Sequence, residues 1–189
     1  LHVRGIRQLA RGLRSNGTLA TLVLSENLIG DEGAKLLALA IPYAASLAEL
    51  DVSANGLTVT VKKTFIDAAL ASTTLQCYRL DDNDIPIADI EEVEQYASAN
   101  KELSRLTSAP ETYAPDYMSS IVVKTLLTKF DRLPDGVAKA LKRNPTLMAQ
   151  ESPLRGKILR AAPLTKQELL QEGIEAARAK LETERGGGD

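Results

Sequence analysis

The chain has no tryptophan, one cysteine and one histidine among 189 residues, and aromatic residues make up only 4% of it. With Cys77 as its one cysteine, an intramolecular disulfide framework and a cysteine-rich zinc site are both excluded. The one histidine, His2, stands at the very start. It supports neither a Ser-His-Asp nor a Cys-His arrangement, and a histidine-based metal site is excluded. No run of about 18 apolar residues is present to span a membrane, and no secretory segment is visible. "GTLATLVLSENLIG" lacks the glycine and lysine spacing of a phosphate loop. These absences predict a cytoplasmic chain that is not an enzyme and takes no cofactor or metal.

What is present is a repeat. In "LATLVLSENLIGDEGAKLLALAI", Leu22 and Leu24 alternate as in a strand, whereas Ala34, Leu37, Ala38 and Ile41 recur as one face of a helix. Shifted by 28 residues, Leu19, Leu22, Leu24 and Asn27 fall on Leu47, Leu50, Val52 and Asn55, and then on Leu75, Tyr78, Leu80 and Asn83. The helical stripe returns in the same register, from Ile6, Leu9, Ala10 and Leu13 to a degenerate last copy at Ile90, Val93, Glu94 and Ala97. The spacing predicts helices over about Asp31 to Ile41 and Thr60 to Leu70. Between them, "LTVTV" (Leu57 to Val61) has strand propensity and predicts an irregular third turn. A fourth strand is expected to begin at Leu103 and Leu106, with Glu111 where the next asparagine would stand.

These residues resemble the leucine-rich repeat family, in its ribonuclease-inhibitor-like subclass, over residues 1–107. The resemblance implies an α/β fold: a short horseshoe segment of parallel strands backed by helices, about three repeats with partial ends. It also implies protein binding on the concave face, where Thr21, Val23, Ser25, Glu49, Asp51, Ser53, Cys77, Arg79 and Asp81 would stand side by side. That face is acidic and points to a basic partner. Asp81 and Asp82 read as solvated loop residues rather than cation ligands, and Cys77 as an inert thiol. An opening in mid-repeat without a start methionine leads us to expect further chain, or a partner, before Leu1.

Residues 108–189 follow a different grammar, expected to give a mostly helical C-terminal arm. Residues 1–103 hold nine basic against fourteen acidic residues, a balance of −5, and residues 104–189 hold fourteen against eleven, or +3. "TSAPETYAP" (Thr107 to Pro115) reads as a linker. Met118, Ile121, Val122, Leu126 and Phe130 make one helical stripe, and a short helix is expected from Val137 to Lys142. Pro145, Pro153 and Pro163 then predict a basic segment that runs extended or in short turns. A last helix opens on a capping box, Thr165 with Glu168, and carries an apolar seam of Leu170, Ile174, Ala177 and Leu181.

Lys139, Lys142, Arg143, Arg155, Lys157 and Arg160, together with Leu170, Ile174 and Leu181, form a second candidate contact region. Its basic residues suit an acidic protein surface such as tubulin. Nucleic acid is disfavoured because no aromatic platform is interleaved for base stacking. Three functions fit. The first is a structural scaffold subunit of a larger assembly, of which cytoskeletal or ciliary (axonemal) complexes are a special case. The alternatives implied by the resemblance are a GTPase regulator of the Ran GTPase-activating type and a repeat sensor or inhibitor.

Overall fold

The computed structural model describes residues 3–114, 120–130, 135–149 and 151–161. Three strands, β1 (Thr21–Val23), β2 (Glu49–Asp51) and β3 (Cys77–Arg79), form a parallel sheet in the order β1-β2-β3. Thr21 pairs with Glu49 and Glu49 with Cys77; Leu22, Leu50 and Tyr78 align likewise, so every partner lies 28 residues along the chain. Parallel strands need a long crossover. Here α2 (Gly30–Ala38) connects β1 to β2 and α3 (Lys62–Ala71) connects β2 to β3, while α1 (Val3–Ser15) precedes the sheet and α4 (Ile87–Ser108) follows it.

The alternating apolar residues enter one core. Leu24, Leu50, Val52, Tyr78 and Leu80 from the strand segments meet Ile6, Leu37, Phe65 and Val93 from the helices, all of them buried. Complete burial of one such side chain stabilises the fold by about 1.5–3 kcal/mol. Tyr78 fills the place that Leu22 and Leu50 hold in the earlier repeats. Its ring lies 5.0 Å from that of Phe65, and its hydroxyl donates to the Phe65 carbonyl at 3.1 Å.

The recurring asparagines tie each turn to the one before it. Asn55 Nδ2 donates to Ser53 O in its own turn and to Leu24 O in the preceding repeat, both at 2.8 Å. Its Oδ1 accepts from the Asn27 and Ile29 amides. Asn83 does the same one repeat later, toward Val52 O, Asn55 N and Leu57 N. Such a turn bends the backbone sharply, and the residue before each asparagine is left-handed: Glu26, Ala54 and Asp82 have φ of 60°, 51° and 56°. Leu28 is left-handed too, at φ 52°, where the next repeat has Gly56 at 67°.

The irregular third turn is a 3-10 turn, Val59–Val61, that leads straight into α3. Asp31 holds it. Its carboxylate accepts from Thr58 N at 2.8 Å and from the Thr58 and Thr60 hydroxyls, both at 2.6 Å. The helix expected to reach Ile41 stops at Ala38, after which the chain turns through a 3-10 segment, Ile41–Tyr43, because Pro42 cannot donate the next helical hydrogen bond.

Two expectations fail beyond β3. Leu103 and Leu106 do not begin a fourth strand; they belong to α4, which runs 22 residues without a break. With no further repeat to pair with, a strand there would have left its hydrogen bonds unmade, whereas a helix satisfies them internally. Ala99, Leu103 and Leu106 instead open a second core, shared with Val122, Leu126 and Phe130 from α5 (Ser120–Lys129) and its end, and with Leu141, Leu147, Leu154 and Ile158. The repeat core reaches Ala97. The two cores therefore meet inside α4, and the boundary expected near Thr107 lies in its last turn.

The second failure concerns the prolines. Of the two forms expected from Asn144 onward, the short turn is met at α7 (Pro145–Met148), but the stretch is nowhere described as extended and becomes a helix again at α8 (Arg155–Ala161), after α6 (Asp135–Leu141). Pro145 sits in the first turn of α7, where its missing N–H costs nothing, and Asn144 caps it by accepting from Leu147 N at 3.1 Å. Asn144 Nδ2 also donates to Pro110 O and Tyr113 O, which draws the expected linker into the second core. The capping box at Thr165 and the seam of Leu170, Ile174 and Leu181 lie outside the described residues.

Candidate interaction surface

The 28-residue register places the nine strand-face candidates in three adjoining rows. Thr21, Glu49 and Cys77 make one, and Val23, Asp51 and Arg79 the next. Ser25, Ser53 and Asp81 follow just past the strands, where Glu26 N donates to Ser53 O at 3.1 Å and Ala54 N to Asp81 O at 2.9 Å. Thr21, Val23, Arg79 and Asp81 are exposed and the other five half-buried. Because side chains alternate across a strand, the leucines between them enter the core and these nine must leave it.

Their charges are partly spoken for. Arg79 Nε donates to Glu49 Oε1 at 2.7 Å, diagonally across the sheet. This hydrogen bond raises the Arg79 pKa further. Asp51 Oδ1 accepts from the Ser53 hydroxyl at 2.6 Å and from Ser53 N at 3.0 Å. The serine leaves the Asp51 charge uncancelled, so Asp51 and the exposed Asp81 together carry the acidity of the face. Val23, 59% exposed, sits as an apolar spot among polar neighbours.

Beside β3 the face deepens into a cleft of about 420 Å³ lined by Gln76, Cys77, Tyr78, Arg79, Asp81, Glu94 and Ser98. Glu94 comes from α4 and stands at the register position of Ala10, Ala38 and Ile66, which turn toward the core in the earlier repeats. Among the described residues, no further repeat covers it. Burial, and then the charges of Asp81 and Glu91, push its carboxyl above the ordinary range. Burial foremost, followed by Glu49, pushes the Cys77 thiol up, so that the reactive thiolate is disfavoured at neutral pH. Tyr78, wholly buried, stays a phenol.

The described part of the second candidate set lies on and just after α6 and on α8, two helices that pack against each other. Lys139 is exposed on α6, Lys142 half-buried and Arg143 exposed just after it. On α8, Arg155 and Lys157 are half-buried and Arg160 is exposed. Arg143 is engaged at 2.8 Å with Glu111. Leu147, Leu154 and Ile158, interleaved among these cations, are core residues. The basic segment is thus the outer skin of a packed helical unit and not a free strap. Leu170, Ile174 and Leu181 are not among the described residues.

Sequence reading missed two features. Lys129, in the apolar stripe of α5, is completely buried, and its ammonium donates to Ala69 O at 2.8 Å, to Ser72 O and to Asn100 Oδ1. It sits at the C-terminal end of α3, where the helix dipole favours a cation, and it fastens the second core to the repeats. Lys62 likewise bridges α3 to α4 through Asp89 and Glu92, both at 2.5 Å. A lysine spaced on a hydrophobic stripe was the available signal for the first of these. Among the described residues, no cluster of His, Cys, Asp and Glu could hold a metal ion, and no helix is long and apolar enough to cross a membrane. No known family model matches this chain, and no curated protein matches it.

Proposed function

We propose that this chain is a cytoplasmic, non-catalytic protein-binding module of the leucine-rich repeat kind, a short horseshoe segment that serves as a structural subunit of a larger assembly. Cytoskeletal and ciliary assemblies are the special case we favour. The observation that carries the reading is the 28-residue register itself. It turns nine separated side chains into one continuous face, with exposed Val23 on its β1 edge and polar or charged residues across the rest. Asp81 and Glu94 at the β3 end favour a basic partner residue there, since a cation would relieve the repulsion between them. Cys77 is held as a thiol, which disfavours thiolate chemistry on the face.

The reading is tested by capturing partners from a native extract with the intact chain and with a Val23→Asp, Asp81→Lys variant of unchanged circular dichroism. Loss of the same partners supports it. Undiminished capture by the variant removes the strand face from consideration. Acceleration of GTP hydrolysis by a captured GTPase would instead promote the regulator.

A further inference from the structure

β3 ends the sheet, and its outer edge is open. Each earlier strand segment spends that edge on the next one. Ala20 O accepts from Ala48 N and Glu49 N, Leu24 N donates to Asp51 O, and Glu26 N donates to Ser53 O. One repeat later, Ala48 O accepts from Gln76 N and Cys77 N, Val52 N donates to Arg79 O, and Ala54 N donates to Asp81 O. The 28-residue register carries the same set to Gln76 O, Leu80 N and Asp82 N, with the backbone of Tyr78 between them where Leu22 and Leu50 stand. Among the described residues, none of these groups finds a strand partner; the Cys77 thiol, 3.5 Å from Tyr78 O, makes the one contact with them.

The edge is costly as it stands. Leu80 is wholly inaccessible, so its N–H is a buried donor without an acceptor, at a cost of about 1–3 kcal/mol. Its counterparts Leu24 and Val52 find that acceptor in the neighbouring strand. The cleft of about 420 Å³ lies along the same edge, between β3 and the Glu94 and Ser98 side of α4. Tyr78 lines it although its ring is packed in the core, so its backbone is the part that meets the cleft. From Gln76 to Asp82 the edge is six residue steps, about 20 Å of extended chain.

The charges beside the edge select its occupant. Asp81 is exposed, Glu94 is half-buried in the cleft wall, and the charge of Asp81 acts on Glu94. The one cation lining the cleft, Arg79, is engaged by Glu49. A second copy of this chain would be a poor match, because its β3 brings another Asp81 and its β1 brings the uncharged Thr21, Val23 and Ser25. We infer that β3 accepts an extended, basic segment of another protein as a fourth strand, its backbone pairing with Tyr78, Leu80 and Asp82 and one arginine or lysine lying between Asp81 and Glu94. The inference rests on the strand face being a protein contact and adds how that contact holds its partner. Main-chain hydrogen bonds supply the affinity and the two carboxylates choose the side chain.

The test uses the intact chain and capped hexapeptides that alternate arginine, or lysine, with valine, followed by fluorescence anisotropy and by the amide spectrum of the protein. Binding is expected, with the Tyr78 and Leu80 amide protons moving downfield as each gains an acceptor. Methylating the backbone nitrogen of every second peptide residue should weaken binding about tenfold or more for one of the two alternating sets and leave the other unchanged, since only one set faces the edge. Glu94→Gln with Asp81→Asn should weaken it about tenfold, and so should citrulline in place of the peptide arginines, which leaves the protein untouched. Failure of both peptides to bind overturns the inference. Binding that both methylated sets weaken equally, or that leaves the Leu80 amide unmoved, overturns it too; if the Val23→Asp, Asp81→Lys variant still loses its partners, the strand face then stands without the added strand. A downfield shift at Leu80 that grows with the concentration of the chain alone would seat a second copy at the edge and overturn the basic segment.

Discussion

Asn83 Oδ1 accepts the backbone N–H of Asn55, 28 residues earlier, at 2.9 Å, so the side chain of one repeat completes the turn of the one before it. Asn55 is nearly inaccessible and spends both ends of its amide in the same way. Asn55→Ala removes partners from the Asn27 and Ile29 amides and from the Leu24 and Ser53 carbonyls. Buried groups left unmade cost about 1–3 kcal/mol each at most, and we expect a total loss of about 3 kcal/mol by urea denaturation. A loss below about 1 kcal/mol would mean that water takes over the asparagine's role.

Leu50→Asp should be among the most damaging substitutions, since it sets a charge among fully buried strand residues. Glu49→Ala, one residue away on the open face, removes only the ion pair to Arg79 and should cost under about 1 kcal/mol. Circular dichroism melts in the reverse order would place the strands out of register.

Leu28 is the position where a mutation should help. It is 87% exposed at φ 52°, a conformation that a branched side chain adopts only under strain. Gly56 already occupies the equivalent site at φ 67°. Leu28→Gly should raise stability by about 0.5–1 kcal/mol in chemical denaturation, strain relief outweighing glycine's greater freedom when unfolded.

Asp31 gives the third turn an acid sensitivity. Partial burial alone would raise its carboxyl pKa, but hydrogen bonds from the Thr58 and Thr60 hydroxyls and the Thr58 amide, with the Lys35 charge, outweigh that and bring it below 3.8. A depressed folded-state pKa contributes stability above the unfolded value, and this is lost as pH falls through the folded one. Asp31→Asn should therefore be less stable than wild type at neutral pH, with the gap closing as pH drops below 3.8. Urea midpoints for the two chains across that range would reveal a constant gap if Asp31 were not the titrating group.

Lys129→Met keeps the length of the side chain but leaves the Ala69 and Ser72 carbonyls and Asn100 Oδ1 without its ammonium. We expect a loss of about 2–4 kcal/mol. Because the loss falls between the two cores, thermal unfolding should split, with protection against hydrogen exchange failing first in α5 rather than in α3. Uniform loss of protection in both helices would show that the cores unfold as one unit regardless of this lysine.

The sequence by itself determined the repeat: its 28-residue period, the strand positions, the inward leucines and the asparagine turns. It could do so because every repeat packs against a copy of itself, which makes the long-range contact a local pattern recurring at fixed distance. That logic stops where copies stop. Leu103 and Leu106, three residues apart, suit a strand start or a helix face equally; the tertiary structure chose the helix, since α5 was there to cover it and, among the described residues, no fourth repeat was. The same holds for Pro145, which ends one helix or begins another according to whether Asn144 finds carbonyls to bind, and it finds those of Pro110 and Tyr113 more than thirty residues back. Lys129 follows the same rule: a cation in an apolar stripe is an error in sequence terms until the open end of α3 is brought to it.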